Sequence, residues 1–146
     1  MKNLNLFVVS SLMFTLLFSA CTSENPSEQE ETAKEYNASV FFQNLSDGDT
    51  LSSPFSVEMG VEGMQVEAAG LINEGFGHHH IIINSDFIAD GDIVPANAQH
   101  IHFGLGQIET ALDLDAGNYS LTLQFADGMH QSYGEGMSKT INVTVR

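Results

Sequence analysis

Gly77-His78-His79-His80-Ile81-Ile82-Ile83-Asn84 runs three histidines directly into three isoleucines. The isoleucines are β-branched and apolar, so the run reads as a strand buried on at least one face. Side chains alternate along a strand, which puts His78 and His80 on one face and His79 with Ile81 and Ile83 on the other. A second run, His100-Ile101-His102-Phe103, repeats the arrangement, with two histidines opposite Ile101 and Phe103. If the apolar faces form the core, His78, His80, His100 and His102 stand on the opposite side. His130 follows a third strand-like run, in Asp127-Gly128-Met129-His130.

Outward from these runs, period-two alternation dominates and long helical periods are missing. Val40 and Phe42 begin it, and Phe55, Val57, Met59 and Val61 then alternate with Ser56, Glu58, Gly60 and Glu62. Ile108, Thr110, Leu112 and Leu114 form another such set, as do Tyr119, Leu121, Leu123 and Phe125, and Ile141, Val143 and Val145 close the chain. Asp47-Gly48-Asp49 is a turn signal. With the two histidine runs, about seven strands are expected over residues 39–146, and the fold class is all-β, an antiparallel immunoglobulin-like β-sandwich. Asp115-Ala116-Gly117-Asn118-Tyr119 resembles the tyrosine corner of such domains, with Leu121 where antibody domains carry a cysteine. Two connections, 63–77 and 86–99, are too long for hairpin turns, and both lead into histidines.

The first twenty residues read as an export signal. Lys2 supplies a positive start, Leu6 to Phe18 is an apolar run short for a bilayer span, and small residues precede Cys21. Phe18-Ser19-Ala20-Cys21 resembles a bacterial lipobox, which implies cleavage before Cys21, lipidation of that residue and a membrane anchor. Cys21 is the single cysteine, so the folded domain has neither a disulfide nor a thiolate ligand. Residues 21–38 are acidic and aperiodic and read as a flexible tether. Location at the cell envelope follows, on the periplasmic face or the cell surface.

All 19 acidic residues lie beyond the signal segment, opposed there only by Lys34, Lys139 and Arg146. A field this negative repels phosphate backbones, so nucleic acid is excluded as a partner. It attracts cations and favours protonated histidines. Carbohydrate is disfavoured, because the chain has no tryptophan and three tyrosines to stack on sugars.

Ala69-Gly70, GHHHIIIN at 77–84, the Pro95 loop, HIHFGLGQIET at 100–110 and LDAGNYSLTLQFADGMH at 114–130 together resemble the domain-of-unknown-function 4399 family. The resemblance covers most of the folded domain and implies a small exported β domain with histidine signatures. It implies no activity. Asn84, Ile108 and Asn118-Tyr119 depart from the family pattern, and no ligand role is assigned to them.

The chemistry therefore rests on the histidines. Pairs at i and i+2 on neighbouring strands, about 4.8 Å apart, can bring imidazoles to one ion at roughly 2.0–2.1 Å. The candidate ligands are His78, His80, His100 and His102, with His130 as a completing ligand, and the ion is copper or zinc. Met129 beside His130 offers a thioether and leans the choice toward copper, whereas Met59 faces the core. A membrane anchored through lipid and a metal donor or acceptor protein are the expected partners. The competing reading is a metal-free interaction or structural module, in which the histidines, His79 among them, hydrogen-bond within the sheet. No nucleophile elbow, metalloprotease helix or phosphate loop is present, and no spacing demands Glu74 or Glu109 as a catalytic base. Imidazole must be neutral to ligate, so metal uptake is expected to weaken below about pH 6.5.

Overall fold

The computed structural model describes residues 36–146. The signal segment, the lipidation site Cys21 and nearly all of the tether lie outside the described residues. Within them the chain forms nine strands: β1 (Ser39–Phe42), β2 (Asp49–Leu51), β3 (Phe55–Glu62), β4 (Gln65–Val66), β5 (Phe76–Ile83), β6 (His100–His102), β7 (Glu109–Leu112), β8 (Gly117–Ala126) and β9 (Ser138–Val145). One 3-10 turn, Glu135–Met137, precedes β9. No helix among the described residues is long and apolar enough to cross a membrane.

The strands form two sheets, β1-β3-β7 and β2-β9-β8-β5-β4, with β6 also paired to β5. Their alternating apolar residues explain the sandwich. Val40, Phe42, Phe55, Val57, Met59 and Leu112 from the first sheet join Ile81, Ile83, Leu121, Leu123, Phe125, Ile141, Val143 and Val145 from the second in one buried cluster. Met59 is a core residue, as its place on an apolar strand face requires. The Tyr119 hydroxyl donates to the Asp115 carbonyl at 3.1 Å, as the tyrosine-corner resemblance implied.

Nine strands replace the expected seven because β2 and β4 span only three and two residues. Neither is long enough to show a period. Both pair in parallel, β2 with β9 and β4 with β5, whereas the other ladders are antiparallel. They occupy otherwise open sheet edges, where short strands limit the exposed backbone.

In β5 and the second half of β8 the larger sheet is buried on both faces. Ile82, Thr122, Gln124 and Ala126 point away from the sandwich core yet are fully buried. Residues 84–99 and 127–137 cover them, tied together by Gly91 N–H to the Ser132 carbonyl at 2.9 Å and Val94 N–H to the His130 carbonyl at 2.9 Å. Gln124 fastens this cover to the sheet. Its Oε1 accepts from Ile88 N–H at 3.1 Å, and its Nε2 lies 3.1–3.2 Å from the carbonyl oxygens of Phe125, Gly134 and Met137. One of the two long connections, 86–99, therefore joins residues 127–137 as the roof of a second, polar interior.

Truncating that amide removes the partner of the Ile88 N–H and of the Met137 carbonyl, while the Phe125 and Gly134 carbonyls keep bonds from Tyr133 N–H and Met137 N–H, and each lost partner costs about 1–3 kcal/mol. Gln124→Ala is expected to lower unfolding free energy by about 2–4 kcal/mol, read from urea denaturation.

Candidate metal centre

His78, His80, His102 and His130 each present a ring nitrogen, and these atoms all lie within 4.8 Å of one another. Two strands and one turn supply them. His78 and His80 share a face of β5, and antiparallel pairing sets His80 directly opposite His102 of β6. His78 then meets His102 on the diagonal, with their Nε2 atoms 3.1 Å apart. His130 arrives from beyond β8, and its Nε2 lies 3.0 Å from the same His102 nitrogen.

His100 is the correction. The antiparallel register between β5 and β6 is offset by two residues from the one that would oppose both His-x-His pairs, so only His80 and His102 are opposed. His100 faces Ile82 instead, and its Nδ1 lies 2.8 Å from Asn97 Oδ1. It is outside the four-imidazole group, and His130 stands in the place expected for it.

The turn that delivers His130 is built by Asp127. Its Oδ1 accepts from the N–H groups of Met129 at 2.8 Å and Gln131 at 2.9 Å, while its carbonyl accepts from His130 N–H at 3.0 Å. His130 adopts φ 69°, a left-handed conformation uncommon outside glycine. Asp127-Gly128 is a turn signal in the sequence, but where the turn aims its last side chain is a tertiary matter. Met129 is exposed at this turn.

Ligands of a tetrahedral ion at about 2.0–2.1 Å stand about 3.3 Å apart. The separations of 3.0 and 3.1 Å around His102 are close to that spacing. Hydrogen bonding explains them less well. A ring nitrogen either donates one proton or accepts along one lone pair, so His102 Nε2 cannot make two well-directed bonds at once. Nδ1 of both His78 and His80 is buried with no hydrogen-bond partner. A cation at the centre would use the convergent lone pairs that a proton network leaves in conflict, and the residues present fit a metal ion.

Burial sets the protonation of the group. It is the first cause holding His78 down to about 4, with further repulsion from His102 and His130, while the Asp127 carboxylate opposes the shift. His80 is pushed down to about 2, again by burial first and then by the neighbouring imidazoles. His102 is lowered by burial and by His130. The acidic composition by itself favours the opposite shift, toward protonated imidazole. Desolvation prevails at His78 and His80, which are buried, and it is the first cause at His102 as well.

His79 faces the sandwich core. It is fully buried, packs edge-on against Phe125 with centroids 5.0 Å apart, and neither ring nitrogen has a hydrogen-bond partner. The expected hydrogen bonding of His79 within the sheet does not occur, because its neighbours on that face are apolar. Burial holds it down to about 4. Glu109 lies on β7 in the other sheet. Glu74 lines a cavity of about 940 Å³ with Tyr36, Asp90 and Tyr133, which includes none of the histidines.

A histidine neutral in the fold and protonated once unfolded stabilises the fold above its unfolded pKa, and that stability is lost as pH falls. The window opens at about 6.5 and runs down to about 4 for His78 and His79 and to about 2 for His80. Each ring is worth about 1.4 kcal/mol per pH unit, so the metal-free domain should lose about 3–4 kcal/mol between pH 6.5 and 5.5. His79→Leu should remove about one third of that slope in urea denaturation at each pH.

Residues 57–146 match the model of a family described as Domain of unknown function (DUF4399). No curated protein and no solved structure matches the chain. The matched segment begins in β3 and includes all four clustered histidines, and on that match the chain belongs to the DUF4399 family.

Proposed function

We propose that this is a lipid-anchored protein of the cell envelope that holds a transition metal ion, copper or zinc, on His78, His80, His102 and His130, for storage, delivery or sensing. The observation that carries the reading is the convergence of two imidazole nitrogens, at 3.0 and 3.1 Å, on the single nitrogen of His102. An all-nitrogen donor set suits copper and zinc, and copper has the higher intrinsic affinity at such sites. Met129, exposed beside His130, adds a soft donor at the rim that favours copper.

Holding an ion fits better than turning over a substrate. Catalytic zinc sites keep one position open for water, whereas four imidazoles fill a tetrahedral shell. His78 and His80 are buried while His102 is exposed, so an ion would be reached and released from one side. That asymmetry supports exchange with a donor or acceptor protein. The anchor reading is supported by the apolar Leu6 to Phe18 run and the Cys21 lipobox.

Calorimetric titration of the chain from Thr22 onward with Zn(II), Cu(II) and, under reducing conditions, Cu(I) tests the metal reading. One ion per chain is expected. His78→Ala and His102→Ala should each weaken binding by about 100-fold, and His100→Ala should leave it within about threefold. Affinity equal to that of a generic acidic protein would sink the proposal and leave the metal-free module. At 100 times its dissociation constant the ion should raise Tm by roughly 10–20 °C. For the anchor, Cys21→Ser should move the full chain from the membrane fraction to the soluble one after export.

A further inference from the structure

We infer that Gly104 is a positioning residue of the metal centre, whose missing side chain is what allows His102 to close the ligand set. This rests on the metal reading above. His102 Nε2 is the nitrogen on which the group converges, 3.1 Å from His78 and 3.0 Å from His130. A β-carbon placed on Gly104 would overlap that same Nε2 and the adjacent Cε1. All three of its nearest neighbours belong to the His102 ring.

The backbone does not itself require glycine here. Gly104 is not among the residues with positive φ, so an alanine meets no conformational penalty of its own. The loop is also held independently of the missing side chain. Phe103 N–H donates to the His79 carbonyl at 3.1 Å, Gly106 N–H donates to the Phe103 carbonyl at 3.0 Å, and Ala69 N–H donates to the Gly104 carbonyl at 2.9 Å. Of the groups that would overlap, the His102 side chain is the one free to move, since its χ angles turn at the surface while the backbone stays paired. A methyl group therefore displaces a ligand without unmaking a strand.

The consequence is a change in coordination class. With Gly104 the site closes with four imidazoles, and with alanine it becomes a three-imidazole site whose fourth position is open to water. Gly104 thus separates a site that holds an ion from one with an exchangeable position.

The test is Gly104→Ala in the chain from Thr22 onward, alone and with His102→Ala. In the metal-free protein, nuclear Overhauser contacts between the His102 ring and the rings of His78 and His130 should be present in the parent and lost in Gly104→Ala. Zinc affinity should fall about 100-fold, to the level of His102→Ala. X-ray absorption of the zinc-loaded variant should count three imidazoles instead of four. The double variant should bind no more weakly than His102→Ala alone, because both changes remove one ligand. Should Gly104→Ala fold poorly, the double variant should recover the stability of His102→Ala, since the ring that is overlapped is gone.

Retained ring contacts with unchanged affinity would overturn the inference, as would additive losses or a double variant as unstable as Gly104→Ala. A parent protein that takes up no metal defeats the functional reading instead, and the metal-free ring contacts still decide the role of Gly104.

Discussion

The antiparallel ladder between β5 and β6 governs the site, because it opposes His80 to His102 and leaves a diagonal neighbour, His78, within reach. An antiparallel register with His78 opposite His102 would have opposed both His-x-His pairs. The observed register lies two residues from that one, groups three imidazoles and sends His100 beyond them, opposite Ile82. A fourth ligand then has to come from elsewhere. The chain supplies it from the turn after β8, which pairs with β5 on the other side.

That arrangement requires the outer face of the large sheet to be covered. A sandwich needs one buried face per sheet, and here Ile81, Ile83, Leu121, Leu123 and Phe125 provide it. The opposite face, with Thr122, Gln124, His78 and His80, would ordinarily meet water. Two irregular segments roof it instead, and Gln124 satisfies their backbone groups from below. Burial is what converts ordinary histidines into strongly neutral bases, since a charged imidazole loses its hydration there. Four imidazole nitrogens then stand within 4.8 Å of one another, an arrangement that fits a single shared cation.

The same sheet shows why neighbouring histidines are not equivalent. His79 lies between two candidate ligands in the sequence, yet it packs on Phe125 inside the sandwich. One peptide step separates the imidazole cluster from core packing, because successive side chains leave a strand on opposite faces. Glycine marks the other boundary of the site. At Gly104 the space a methyl group would fill is taken by the His102 ring, so the omitted side chain leaves room for that imidazole in the cluster.

The sequence by itself determined the β class, most of the strands and the sharing of a face by His78 and His80, since alternation along one strand is a local property of the backbone. It also pointed to Tyr119 as a corner residue and to Met59 as core. β2 and β4 were too short to announce themselves, and their pairing with β9 and β5 depends on contacts made across the fold. Only the tertiary structure decided which four histidines meet. Strand direction and register removed His100, and the Asp127 turn with His130 in a left-handed conformation added the last nitrogen. Protonation was likewise decided by the fold: composition reports the net charge of the chain, but desolvation at a particular side chain depends on what the folded protein places above it.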